Sequence, residues 1–361
     1  MRVLAFTKYG SLAASTRQRF MQFEPALAKA GIAVDYSPLL DNAHLKGLVE
    51  GRRASPLSIT KSYARRALKI LNARSYDLLW VHCEYFPYLP GFIEASSVWV
   101  ASAPFVFDYD DAIFHMYDTA RNPLTRMLLG GKLEPLQERA KVCLCGNEYL
   151  RAYAARHNGN AVVVPTVVDT DVYTPVRRLS EQPVTVGWIG SPSTWNYVRP
   201  LLPILAQLCE TRGIRVLVVG AGDAGQNDRF PGLDFADWSE EAEVELVQSM
   251  DIGIMPLNDD LWARGKSGYK LIQYMACGLP VVASPVGVNA EIVRDGDNGF
   301  LATSPKQWHQ ALNALLDDAE GRRRMGARGR ERAVADYSLA VHAPRVVEII
   351  RAAAEAPRAK K

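Results

Sequence analysis

The stretch Trp262-Ala263-Arg264-Gly265-Lys266-Ser267-Gly268-Tyr269-Lys270-Leu271-Ile272-Gln273-Tyr274-Met275-Ala276-Cys277-Gly278-Leu279-Pro280 decides how the second half of this chain reads. Apolar residues recur at helical spacing from Tyr269 to Ala276, Gly278 supplies the stop, and Pro280–Ala283 reads as a buried strand. Glycines at 265 and 268 precede the helix, so its first backbone amides are left open. Free amides at a helix N-terminus suit a diphosphate. Arg264 and Lys266 stand immediately upstream, where two cations can converge on the same anion. A solvated basic loop is the plainer alternative.

Working outward, Val184–Ile189, Arg215–Val219 and Ile252–Met255 are further β-runs, with a helix over Val198–Thr211 between the first two. Upstream, the pattern breaks around Pro175–Pro183, which reads as a linker. The first half then repeats the same alternation. Arg2–Thr7, Ile32–Tyr36, Leu78–His82, Phe105–Tyr109, Lys141–Cys145 and Ala161–Val164 are strand-like, and Phe20, Phe23, Leu27 and Ala30 recur at helical spacing before Gly31. Strands alternating with helices predict parallel, doubly wound sheets, and two such series predict two Rossmann-like domains facing across a cleft. The predicted domains are residues 1–176 and 184–336, with a terminal helix over 339–354.

Gly220-Ala221-Gly222-Asp223-Ala224-Gly225 has the spacing of a dinucleotide fingerprint and follows the strand Arg215–Val219. What comes next, Gln226-Asn227-Asp228-Arg229-Phe230-Pro231-Gly232, is turn chemistry where that fingerprint needs a helix. NAD or FAD is therefore not expected. At 361 residues the chain exceeds one core, and its 48% apolar and 22% charged residues are those of a globular protein. A net charge of +3 is too small to argue for nucleic acid. No apolar run reaches the ~20 residues of a membrane span, and the opening residues do not read as a signal peptide. The five cysteines are odd in number and lack paired metal spacing, so a reduced, cytoplasmic enzyme is expected.

With these residues in view, the chain resembles the family 4 glycosyltransferases. Gln273 to Val282, ending Gly278-Leu279-Pro280-Val281-Val282, fits the second half of their glutamate, seven residues, glutamate motif. The resemblance also covers Asp169-Thr170-Asp171-Val172-Tyr173, Gly187-Trp188-Ile189-Gly190-Ser191, Asp251–Leu257 and Gly287–Glu291. It implies the GT-B fold, a nucleotide diphosphate sugar as donor, transfer with retention, no metal or other cofactor, and packing of the terminal helix on the first domain. Donor-binding residues are then Gly190, Ser191, Gly268, Tyr269, Lys270, Gln273 and Glu291. Gln273 takes the place of the second glutamate, which hydrogen-bonds the donor ribose, and Gly265 that of the first. Where the family carries an arginine and, five residues on, a lysine for the diphosphate, this chain has Ser191 and Asn196. Lys266 and Arg264 are the expected replacements and the principal catalytic candidates.

In the first half, Phe107-Asp108-Tyr109-Asp110-Asp111-Ala112 ends a predicted strand, and Asp110 falls where many family members carry a histidine facing the sugar. Three clustered carboxylates push one proton affinity upward, which makes Asp110 a catalytic candidate and places Asp108 and Asp111 on the acceptor side with Gly10 and Arg17. The alternatives are a helix cap or a metal-binding D-x-D. Ser15–Arg19 reads equally as an anion site or a solvated helix start, and His82 as a core histidine in preference to a residue lining the acceptor side. Lys61, Arg65, Arg66, Lys69 and Arg74 decorate a helical segment that is a plain surface helix or a peripheral contact with the inner membrane face. The expected function is transfer of a sugar to a glycan or lipid-linked acceptor. A sugar-nucleotide 2-epimerase of the same fold and a non-catalytic nucleotide-sugar-binding protein are the alternatives.

Overall fold

A computed structural model describes residues 1–49, 54–176, 182–225 and 227–356. Most of the linker expected over 175–183 lies outside the described residues. Two parallel six-stranded sheets organise the chain, in the orders β2-β1-β3-β4-β5-β6 and β12-β11-β10-β7-β8-β9. The first comprises β1 (Arg2–Tyr9), β2 (Ala33–Leu40), β3 (Leu78–His82), β4 (Phe105–Tyr109), β5 (Val142–Cys145) and β6 (Ala161–Val163). The second comprises β7 (Thr185–Ile189), β8 (Arg215–Val219), β9 (Leu233–Ala236), β10 (Ile252–Met255), β11 (Val281–Ala283) and β12 (Gly299–Leu301).

The inner strands are apolar on both faces because helices cover both. Val3 to Phe6, Leu78 and Val81 are fully buried, as are Ile252, Ile254 and Val281 to Ala283. Pro38 sits within β2, which its place at the sheet edge allows, since no further strand needs its missing N–H. β9 and β12 are the two strands the sequence pattern did not reveal. Both are short edge strands, and only Leu233 and Gly299 in them are buried.

The helical segment before Gly31 is not continuous. It runs Ala14–Arg19, a 3₁₀ turn Met21–Phe23 and Glu24–Lys29, broken at Phe20 (φ −130°, ψ −65°), whose ring packs on Trp80 with centroids 4.5 Å apart. Likewise the helix expected from Val198 begins at Leu202, after 3₁₀ turns over Pro192–Tyr197 and Arg199–Leu201. Prolines at 192, 200 and 203 remove the amides that a longer helix would need.

By its contacts, one compact unit contains Met1–Thr166, Gly265–Ser267 and the chain from His342 onward. The other contains Val167–Arg264 and Gly268–Val341. The division thus falls before the boundary expected at 176, because Val168 bridges Ser338 and Tyr173 is buried in the second unit's core. The last helix, Leu339–Glu355, contributes Arg351, whose Nη2 donates to Ala30 O at 2.5 Å in the first unit.

Candidate active site

In the second unit, the helix Tyr269–Ala276 opens at Gly268 in the left-handed region (φ +66°), with no side-chain cap on its amides. A side chain at 268 would also strike Ile292 Cδ1 at 2.4 Å. Residue 268 therefore has to be glycine, and the helix N-terminus remains an anion-seeking feature. β7 delivers Trp188 and then Gly190, where a Cβ would lie 2.3 Å from the Trp188 ring. Across that ring, Lys270 Nζ stands 5.7 Å from the centroid. The structure thereby brings Gly190, Lys270 and the Gly268 helix start together. Ser191 caps the following 3₁₀ turn through a reciprocal box with Thr194, and Asn196 accepts from Arg199 Nη1 at 3.0 Å.

The other expected residues of this unit are placed differently. Arg264 makes a two-pronged ion pair with Asp259, Nε to Oδ1 2.7 Å and Nη2 to Oδ2 3.1 Å, which holds the Asp259 carboxyl below its ordinary value. Gln273 is only 2% exposed; its Nε2 donates to the Tyr173 hydroxyl at 3.0 Å and to Glu243 Oε1. Glu243, which sequence reasoning missed, thus sets a carboxylate beside the amide that replaces the family's glutamate. It lies 30 residues upstream on another helix, so no local motif could have revealed it. Glu291 is exposed, and its carbonyl accepts from Arg332 Nη2 at 2.8 Å.

Gly265–Ser267 belongs to the first unit. Gly265 packs so closely on Ala112 that a Cβ there would lie 2.4 Å from the Ala112 Cβ, and Asn147 Nδ2 donates to Lys266 O at 3.0 Å. The Lys266 loop accordingly meets the ends of β4 and β5, the same end at which Asp110 and Asp111 stand.

The aspartates do not act as a cluster of repelling carboxylates. Asp108 is turned inward, 1% exposed, accepting from Arg19 Nε at 2.9 Å and Trp80 Nε1 at 3.0 Å. Burial raises its pKa against the pull of Arg19, and its place is structural, which corrects its assignment to the acceptor side. Asp110 Oδ1 lies 3.4 Å from His82 Nε2. Burial alone would raise Asp110, but the hydrogen bond and charge of His82, with Arg19, outweigh it and hold the carboxyl below its ordinary value. The upward shift expected from neighbouring carboxylates is thus corrected for Asp110: its partners are cations. Burial likewise disfavours charge on His82, yet Cys83 and Asp110 raise it well above its ordinary value. Among the described residues, no group of three or more His, Cys, Asp or Glu side chains is arranged to hold a metal ion.

Beyond β1, Gly10 leaves room for Asn42, whose Oδ1 would be 2.3 Å from a Cβ at residue 10. Arg17 Nη1 donates to Ser11 O (3.1 Å) and Leu12 O (2.8 Å), closing the loop. A cavity of about 520 Å³ opens here, lined by Thr7, Gly10, Ser11, Thr16, Tyr36 and Asn42 among others. Hydroxyls and an amide at the carboxyl ends of parallel strands suit a polyhydroxylated ligand.

Residues 183–318 match the family model described as "Glycosyl transferases group 1". The chain is 28% identical over 334 residues to the phosphatidyl-myo-inositol mannosyltransferase of Mycobacterium tuberculosis, covering 83% of this chain and 82% of that protein. It is 30% identical over 197 residues to the D-inositol 3-phosphate glycosyltransferase of Corynebacterium aurimucosum, 46% of this chain and 45% of the other. Among solved structures, Anabaena HepE in complex with UDP and glucose superposes with a TM-score of 0.73 at 15% identity, covering 98% and 100% of the two chains. WaaG, a glycosyltransferase involved in lipopolysaccharide biosynthesis, gives 0.68 at 17% identity over 97% and 99%.

Proposed function

We propose that this chain, a GT-B enzyme that belongs with the family 4 glycosyltransferases, moves a sugar from a nucleotide diphosphate donor to a hydroxyl of a glycan or lipid-linked acceptor, with retention and without a metal. The observation that carries this reading is the open helix start at Gly268 with Lys270 and Gly190 beside it. Amides and a cation gathered at one point stabilise the charge that grows on the departing diphosphate as the glycosidic bond breaks. Lys266, two residues before Gly268 in the chain, is the second cation of this reading. Arg264 contributes less while Asp259 holds it, although an exposed pair of that kind is weak enough to exchange for phosphate. Gln273 and Glu243 form the ribose end of the site, and Glu291 completes the donor side.

Asp110, kept ionised by His82, accepts hydrogen bonds from sugar hydroxyls, with Asp111 next to it. The cavity by Gly10 holds the acceptor. The mannosyl and inositol relatives and the nucleotide and glucose in the HepE complex support this choice of substrates. An acceptor attached to lipid places the enzyme at the cytoplasmic face of a membrane, in peripheral contact with it.

Screening nucleotide sugars by thermal shift identifies the donor, since a ligand of the native state raises its stability by mass action. Nucleotide release from that donor is then measured with and without acceptor, and with excess EDTA. Release that needs the acceptor and survives EDTA is expected. Release without acceptor and with an epimerised sugar indicates a 2-epimerase, binding without turnover indicates a sensor, and reversible loss in EDTA overturns the metal-independent reading.

A further inference from the structure

We infer that His115, through a carboxylate–imidazole–phenol link with Asp118 and Tyr149, is a positioning residue that holds the Asp110 loop in register with the segment carrying Lys266. The inference rests on the sugar-transfer reading proposed above and adds to it a residue that acts through Asp110 and Lys266.

Two loops leave the first sheet side by side. After β4 the chain passes through Asp110, Asp111 and Ala112 into a single helical turn, His115–Asp118. After β5 it passes through Gly146 and Asn147 into the helix Glu148–Ala154. The loops press together so closely that a Cβ at residue 146 would lie 2.9 Å from Asp110 Cα. Asn147 caps its helix by accepting from Leu150 N at 2.9 Å, and its Nδ2 donates to Lys266 O at 3.0 Å. The first turn of that helix therefore carries the Lys266 segment. Asp110 and Lys266 share no regular element, so the way these loops meet sets one against the other.

His115 ties one loop to the other. Its Nδ1 lies 2.8 Å from Asp118 Oδ1 and its Nε2 2.7 Å from the Tyr149 hydroxyl. A carboxylate only accepts, so in the neutral ring Asp118 places the proton on Nδ1 and leaves Nε2 to accept from the Tyr149 O–H. Other contacts already hold the loops together. Phe114 stacks on Tyr153 with centroids 3.6 Å apart, and the Tyr109 hydroxyl donates to Leu150 O at 2.6 Å. Apolar stacking is non-directional and tolerates sliding, whereas the paired hydrogen bonds of one imidazole fix both distance and angle.

Register matters here because orientation contributes to the rate. A misplacement of about 1 Å originating away from the reacting atoms can cost on the order of 100-fold in turnover. The nucleotide contacts proposed above, Lys270, Gln273 and Glu243, belong to other segments of the chain. Loss of the His115 link should therefore act on turnover and leave donor binding alone.

The test uses the full chain with the nucleotide sugar found by thermal shift and an acceptor that it glycosylates. His115→Phe keeps a ring against Phe114 and removes both hydrogen bonds. Its kcat should fall about 10- to 100-fold, with the donor KM within about threefold of wild type. Tyr149→Phe removes a single oxygen, should lower kcat comparably, and keeps the test decisive if His115→Phe does not fold. The double variant should be no worse than His115→Phe, because both substitutions break one link. His115→Gln, whose amide can donate to Asp118 and accept from Tyr149, should recover most of the loss. A role in folding alone would lower Tm and leave the kcat of the folded enzyme unchanged. Independently of activity, nitrogen NMR at about pH 8 should show the His115 ring protonated at Nδ1 in wild type, and mixed tautomers in Asp118→Ala. A kcat within about threefold of wild type in both single variants, additive losses in the double variant, or a ring protonated at Nε2 overturns the inference. A wild type that transfers to no acceptor would defeat the proposed activity instead; the Nδ1 proton would then still support the link, and an Nε2 proton still refute it.

Discussion

Replacing Lys270 with alanine tests the donor site most directly. Its ammonium stands over the Trp188 ring at 5.7 Å, beside the Gly190 turn and the open end of the 269–276 helix. A phosphate oxygen about 4 Å from such a cation gains on the order of 4 kcal/mol at an effective dielectric near 20. Part of that attraction is already present in the bound donor. The remainder appears only as charge flows onto the leaving diphosphate, and removal of one such group has typically reduced turnover about 100- to 1000-fold. Lys270→Ala should lower kcat by that order with a smaller change in donor KM, and Lys270→Arg should recover part of it. The cation–π contact itself contributes only about 0.5–1 kcal/mol, so the variant remains folded at assay temperature. Steady-state nucleotide release on the purified variants is the assay. Turnover of Lys270→Ala within about threefold of wild type would remove this lysine from the mechanism and with it the site geometry proposed above.

Lys266→Ala should also reduce kcat, roughly 100- to 1000-fold if its ammonium shares the diphosphate; an unchanged kcat would leave the loop a purely packing role through Gly265. Gln273→Ala should raise the donor KM while keeping kcat within about threefold, because ribose contacts are made equally in ground and transition states, and unchanged donor affinity would exclude it from the ribose site. Arg19→Met strands the buried Asp108 carboxylate at a cost of about 3–5 kcal/mol, read as a fall in Tm of roughly 6–20 °C; a smaller shift would mean that Asp108 is neutral when paired. Glu94 is raised to about 7, chiefly by burial, against the opposing charge of Lys132 and the amides of Tyr85 and Phe86. Because its folded value lies above the ordinary one, the native state binds the extra proton, and stability falls as pH rises from about 4.5 through 7, by about 3 kcal/mol from this group. Glu94→Gln should flatten that slope in denaturant unfolding at pH 5 and pH 8, and an unaltered slope would assign it to other groups.

Local rules carried far along this chain. The helix Tyr269–Ala276 with its stop at Gly278 was legible because apolar spacing, glycine punctuation and the following apolar strand all act within a few residues. The inner strands were equally legible, since burial on both faces demands unbroken apolar runs, whereas β9 and β12 at the sheet edges carry no such demand. The glycine-rich segment was likewise legible as a turn: a 3₁₀ turn occupies Gly222–Gly225.

Partnership between distant side chains was decided only by the tertiary structure. Asp108, Asp110 and Asp111 are close in sequence and looked like one group of repelling carboxylates, yet the fold sets Arg19 on Asp108 and His82 beside Asp110, reversing the shift expected for Asp110. Glu243 reaches Gln273 across 30 residues, and Trp188 reaches Lys270 across 82. Hydrophobic periodicity is a short-range signal, so the sequence by itself determined which segments form helices and inner strands and that they alternate in two series. Ion pairs and cavities form between segments that sequence distance does not order, so only the folded chain determined which charges are held by a structural partner and which gather around a site.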